Sequence, residues 1–173
     1  MHQIQTPTYN HIDQILALNS KYLINHLSDT EKQNGFIRIE YDREDLEKII
    51  DHKEIVIAVD NDKVVGYFLV GKKSEKLELE LQKVMSLVLH DSGKFEYKRI
   101  GFGCQICIEE KYRGNGISKN MVDALKDLVM EKYDYLLSTI SSDNKVSLQN
   151  STMVGWYPID LIEFPRYYLL KVK

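Results

Sequence analysis

An apolar run, Ile106-Cys107-Ile108, leads into Arg113-Gly114-Asn115-Gly116-Ile117-Ser118, and a helical pattern opens directly behind it. Ile117, Met121, Ala124, Leu125, Leu128 and Val129 fall at the spacing of one buried helix face. A strand, a glycine-bearing turn and a helix start therefore follow one another without a linker. The first N–H groups of a helix have no intrahelical partner, and the helix dipole adds partial positive charge there. Such a turn suits an anion, phosphate above all. Asn115-Gly116 alone is an ordinary turn dipeptide, so the surrounding elements must decide.

Those elements can be read in order. Ile12, Ile15, Leu16, Leu18, Leu23 and Ile24 predict a helix over 11–26, with Asn10 as its cap. Residues 28–35 read as a loop or short helix, and 40–50 as a second helix with acidic first turns. Ile55 to Val59 and Val64 to Val70 flank Asp60-Asn61-Asp62-Lys63, which predicts a hairpin. Residues 74–89 fit a helix by length. Tyr97 to Ile108 reads as one strand, with Gly101 and Gly103 marking a bulge or a close backbone approach. Tyr135 to Ile140 is a strand, and 144–153 a short helix ended by Gly155. Trp156-Tyr157 and 166–172 have β character, with Pro158 and Pro165 excluding a uniform central strand between them. The expectation is one α/β domain over 1–173. It is a mixed, mainly antiparallel sheet of six to seven strands with a β-α-β unit and helices on both faces.

Composition narrows the function. A net charge of −3 argues against a general nucleic-acid binder. The N-terminus lacks the basic stretch and apolar run of a signal peptide, and the apolar runs are too short to span a bilayer. The expectation is a cytoplasmic protein with no membrane partner. Cys104-Gln105-Ile106-Cys107 spells C-x-x-C, but within a strand two residues three apart face opposite ways, so a disulfide or shared metal is not expected. Gly101-x-Gly103 lacks the third glycine of a dinucleotide fingerprint, and no P-loop sequence occurs. The five histidines show no ligand spacing, and no metal is expected.

Arg113-x-x-Gly116-x-Ser118, followed by Asn144-x-x-Ser147 and then Gly155-Trp156, resembles the GNAT superfamily of N-acetyltransferases. The element order matches that family along nearly the whole chain, and the motifs cover about 104–156. The resemblance implies the acyl-coenzyme A N-acyltransferase fold and acetyl-coenzyme A as cosubstrate. It implies a pyrophosphate held by the backbone of Gly114, Asn115, Gly116, Ile117 and Ser118, flanked by Arg113. It also implies a pantetheine arm aligned by Ile106 and Ile108 and supported by Asn144 and Ser147. The acceptor would be an amine attacking directly in a ternary complex. Ser118 stands where the family has Gly or Ala. Ser151 stands where many members carry a tyrosine that protonates the leaving thiolate, and a Ser hydroxyl is a poorer acid than a phenol.

Acetyl transfer to an amine also requires an oxyanion donor, for which a backbone N–H of Ile108 is placed, and a route for the amine proton. His90, Glu96, Glu109 and Glu110 flank the strand, and none is assigned as base. Ser151 is the one position offered for the acid. The alternative reading is an acyl-coenzyme A sensor or accessory module that binds without efficient turnover. Acceptor identity and homodimerisation through the C-terminal strands stay open.

Overall fold

The computed structural model describes residues 2–71, 99–102, 104–159 and 166–172. The expected helix over 74–89 and the strand start at Tyr97 lie outside the described residues, as do His90, Glu96 and Gly103. Among the described residues there are eight strands. These are β1 (Gln3–Gln5), β2 (Ile55–Asp60), β3 (Lys63–Leu69), β4 (Ile100–Gly101), β5 (Gln105–Ile108), β6 (Tyr135–Ile140), β7 (Tyr157–Ile159) and β8 (Arg166–Lys171). The α-helices are α1 (Ile12–Tyr22), α2 (Asp29–Lys32), α3 (Arg43–Asp51), α4 (Ile117–Val129) and α5 (Lys145–Met153).

The mixed α/β class holds, but the strands divide between two four-stranded sheets, in the orders β1-β2-β3-β5 and β4-β6-β8-β7. The first is antiparallel throughout, and the second has one parallel pair, β4 with β6. The division falls inside the segment expected to be one strand. Ile100 and Gly101 pair with Tyr135 and Leu136, whereas Gln105 to Ile108 pair with Leu69 to Gly66. A short polar strand, β1, lacks the β-rich residues that would have announced it.

The first sheet is buried on both faces, as near-continuous apolar runs demand. Ile55, Ile57, Tyr67 and Leu69 pack with α1 and α3, while Val56, Ala58, Phe68 and Val70 pack under α4. A bulge opposite Ala58/Val59 leaves Val65 as the extra residue of β3, so that Val65 and Tyr67, two apart, enter opposite cores. The hairpin turns on Asn61 and Asp62, both at positive φ (48° and 60°), the backbone that favours Asn and Asp in two-residue turns.

Helix ends follow local chemistry. Asp42 caps α3 by accepting from the Asp45 N–H at 2.8 Å, and Ser28 with Glu31 forms a capping box on α2. Asn10 is not a cap: it lies within a 3-10 turn, Tyr9–His11, that precedes α1. The helix expected to reach residue 26 stops at Tyr22, because Leu23 turns extended to bridge Ile37. Pro158 sits in β7, an edge strand of its sheet, where a missing N–H is tolerated.

Candidate functional site

The division of the two sheets makes the site. Cys104 N–H bonds the Leu137 carbonyl at 3.4 Å, and Ser138 Oγ donates to the Cys104 carbonyl at 2.8 Å. Beyond this vertex the chain leaves β6 and joins β3. Strand residues send their backbone groups alternately to opposite edges. Cys104 faces β6, and Glu109 N–H faces β3, bonding Val65 O at 2.8 Å. The backbone groups of Ile106 and Ile108 therefore face the opening between the sheets. Arg113 Nε takes the Ile108 carbonyl at 2.9 Å.

At the wide end lies the glycine turn. Gly114 and Gly116 both adopt left-handed backbone, φ +78° and +75°, which a side chain would strain. Neither has another atom within 4 Å of where a Cβ would stand. Gly116 precedes α4, and no side chain caps this helix start. The first amides of α4 thus face the turn. Ser118 is buried and accepts from Asn150 Nδ2 at 2.9 Å, which ties α5 to the start of α4. Asn115 turns its amide back onto the Tyr112 and Arg113 carbonyls, each at 3.3 Å.

A cavity of about 540 Å³ runs beside this turn, lined by Ile106, Ile108, Arg113, Gly114, Gly116, Ile117, Ser118 and Ser147 among others. A second recess, of about 150 Å³, lies at the vertex, with Phe68, Phe102, Ser138, Asn144, Ser151 and Trp156 in its wall. Phe36, Ile37, Ile106, Ser147, Asn150 and Val154 line both. An open glycine cradle, a helix start and a strand edge with outward backbone groups fit a long, phosphate-headed ligand.

The expected site residues gather here, except that Asn115 lies outside both linings. Asn144 is buried, and its side chain is fully engaged. It accepts from Ser147 N–H at 3.2 Å, capping α5, and donates to the Phe36 carbonyl at 2.7 Å. Ser151 Oγ donates to the Ser147 carbonyl at 2.6 Å, a bond within its own helix. Gly155 (φ +96°) ends α5, with Gly155 N–H on Thr152 O and Trp156 N–H on Ser151 O, the paired bonds of a Schellman motif. Arg113 also donates to the Asn34 carbonyl and lies 5.0 Å from the Tyr22 ring, bracing the 34–37 segment over the turn.

Glu109 and Glu110 do not line either cavity. Burial pushes the Glu109 carboxyl up, but the bonded Lys21 ammonium, with Lys63 and Tyr22, outweighs this and holds it below the usual range. Glu110 accepts from Asn34 Nδ2 at 3.1 Å. The two cysteines lie in different cores, Cys104 under α4 and Cys107 against α1. Burial raises both thiols, Cys107 to about 12, so neither is a thiolate at neutral pH.

Sequence reasoning missed Gln105 and the 36–39 segment. Gln105 is buried, bonds Tyr67 Oη at 2.8 Å and lies in the recess wall. Its signal was a polar residue in an otherwise apolar run. Residues 36–39 carry no such signal.

The model of the acetyltransferase (GNAT) family matches residues 21–150. The chain belongs to the GNAT acetyltransferase family. No curated protein matches it by sequence. Solved GNAT structures share its fold at low identity. A PaiA N-acetyltransferase of Thermoplasma acidophilum, in complex with coenzyme A, is 12% identical with a TM-score of 0.66, covering 99% of each chain. A GNAT-family acetyltransferase of Staphylococcus aureus Mu50 is 14% identical at TM-score 0.65, covering 100% of each. The putative acetyltransferase yncA of Salmonella typhimurium, with its cofactor acetyl-CoA, is 12% identical at TM-score 0.63, covering 99% of this chain and 94% of that one. No helix among the described residues is long and apolar enough to cross a membrane.

Proposed function

We propose that this GNAT chain, acting as one domain over 1–173, moves an acetyl group from acetyl-coenzyme A to a primary amine. The observation that carries this reading is the open strand edge of Ile106 and Ile108, running from the Gly114–Ser118 turn to the recess at the vertex. Acetyl-coenzyme A supplies the activated acetyl group as a thioester. The turn amides and the start of α4 receive its pyrophosphate, with Gly114 and Gly116 leaving room for close approach. Ile106 and Ile108 align the pantetheine arm as an added strand would be aligned. Ser147 supports it from α5, which Asn144 holds in place.

The amine, bound in the recess, attacks the thioester carbonyl directly, and an outward N–H of the Ile106–Ile108 edge stabilises the developing oxyanion. Attack requires the neutral amine. The described lining of both cavities holds no carboxylate and no imidazole. The amine proton therefore leaves through solvent or through residues beyond those described. Ser151 is the candidate donor to the departing thiolate, through a hydroxyl now bonded to the Ser147 carbonyl.

The same lining favours one second reading, a module that binds acyl-coenzyme A without efficient turnover. Release of free thiol from acetyl-coenzyme A separates the two. Amine-dependent release, lost in Gly114→Asp, supports the enzyme. Binding without amine-dependent release supports the module.

A further inference from the structure

Arg38 stands at the rim of the 150 Å³ recess, held from two sides. Its Nη2 donates to Ser141 Oγ at 3.2 Å, and its guanidinium lies 5.8 Å from the centre of the Phe36 ring. The other described guanidinium groups are occupied: Arg43 meets Asp13, Arg99 meets Asp134, and Arg113 is taken by two backbone carbonyls. Among the described residues no carboxylate lies within ion-pair reach of Arg38. A guanidinium presents five donors in a planar fork matched to a carboxylate. The bond to Ser141 uses one of them and fixes the direction of the rest.

The recess adds size and polarity. Phe68, Phe102 and Trp156 form an aromatic wall, with Phe68 and Trp156 edge to face at 6.3 Å. A cavity of about 150 Å³ holds a benzene-sized group. No Asp or Glu among the described residues lines it, so none of the described lining attracts a polycation, and Arg38 repels one.

We propose that the recess takes a primary amine that also carries a carboxylate and one apolar side group, an apolar α-amino acid. Arg38 is the residue that selects it by pairing with the carboxylate. The proposal rests on the acetyltransferase reading above. It makes Arg38 a specificity residue that touches the acceptor and not the cosubstrate.

The test is steady-state kinetics at saturating acetyl-coenzyme A with L-phenylalanine, L-phenylalaninamide, phenethylamine and spermidine. Wild type, Arg38→Met and Arg38→Lys are compared, each with its thermal melt and its acetyl-coenzyme A affinity. Wild type should acetylate phenylalanine best. The amide's amine loses its proton more readily, so intrinsic reactivity would favour the amide, and a preference for the acid must come from the site. Arg38→Met should raise KM for phenylalanine by about ten- to hundredfold, the range for a charge-assisted bond. It should leave KM for phenethylamine, the melt and the acetyl-coenzyme A affinity unchanged, and Arg38→Lys should recover part of the loss. An unchanged KM for phenylalanine in Arg38→Met would overturn the proposal, as would preferred turnover of spermidine or phenethylamine. In both cases acetyl transfer itself would stand. Binding of acetyl-coenzyme A with no thiol release for any of the four amines would overturn the proposal and favour the binding-module reading.

Discussion

The two ends of the groove are built in different ways. The turn at Gly114–Ser118 comes from one stretch of chain: a strand, two left-handed glycines and a helix start within a dozen residues. The recess at the vertex is assembled from segments far apart in sequence. Phe36 and Arg38 come from the connection after α2, Phe68 from β3, Gln105 from β5, Ser138 and Ser141 from β6 and its exit, and Trp156 from beyond α5. A ligand part common to a family suits the local device, since few substitutions can spoil it. A variable acceptor suits the composite one, where each wall can change alone.

Substitutions at the turn should damage the cosubstrate end and spare the fold. Gly116→Glu forces a side chain into left-handed backbone and adds a charge that phosphate repels. We expect at least about a hundredfold loss of acetyl-coenzyme A affinity, roughly 2.7 kcal/mol, with little change in the melting temperature beyond the strain itself. Calorimetry with a parallel thermal melt checks this, and retained binding would remove the turn from the site.

Asn144 lines the recess but holds Phe36 and Ser147, which border both ends, so its loss should erase their independence. Asn144→Ala removes the cap of α5 and leaves the Phe36 carbonyl without its donor. The expected cost is about 2 kcal/mol of stability, with acetyl-coenzyme A and acceptor binding weakened together. Denaturant unfolding and titration of both ligands would show it. A variant that loses only one of the two would mean that the ends are coupled elsewhere.

Asn150→Ala should have a smaller effect, about 1 kcal/mol, greater at the cosubstrate end than at the recess. It cuts the bond to Ser118 Oγ, whereas at the recess, whose wall Asn150 also lines, it removes no hydrogen bond. A change in KM for the acceptor larger than that for acetyl-coenzyme A would contradict this division.

The smallest effect concerns pH. The Glu109 carboxyl is held below its ordinary value by Lys21, so the folded state binds its proton less readily than the unfolded chain. The pair's contribution is therefore complete above the ordinary value of about 4.3. It is lost as pH falls through the lower folded value. A Lys21→Met variant should be slightly less stable than wild type at neutral pH and converge with it in acid. Parallel stability curves at every pH would rule the pair out as a contributor.

How much of this was legible in the sequence follows the same contrast. Tyr135 to Ile140 was read as the strand it is, and Gly155 as the end of α5, because each has a local cause. So does the Gly114–Ser118 turn. The division between β4 and β5 was not legible, because both strands are mostly apolar and only partner choice separates them. Gly101 carried half the clue. A Cβ there would stand 2.8 Å from Leu136 Cδ2 and 3.0 Å from Tyr133, the close approach that its glycine permits. Arg38 gave no signal at all, since an exposed arginine is ordinary until Ser141, about a hundred residues away, fixes its direction.

The central claim is that the turn and the open strand edge together hold acetyl-coenzyme A. Its most direct test is a calorimetric titration of acetyl-coenzyme A into the wild-type protein, with folding verified in the same sample. The account predicts one site per chain with a dissociation constant in the micromolar range. A folded protein that gives no binding would contradict it, and would leave the acetyltransferase fold without its cosubstrate site.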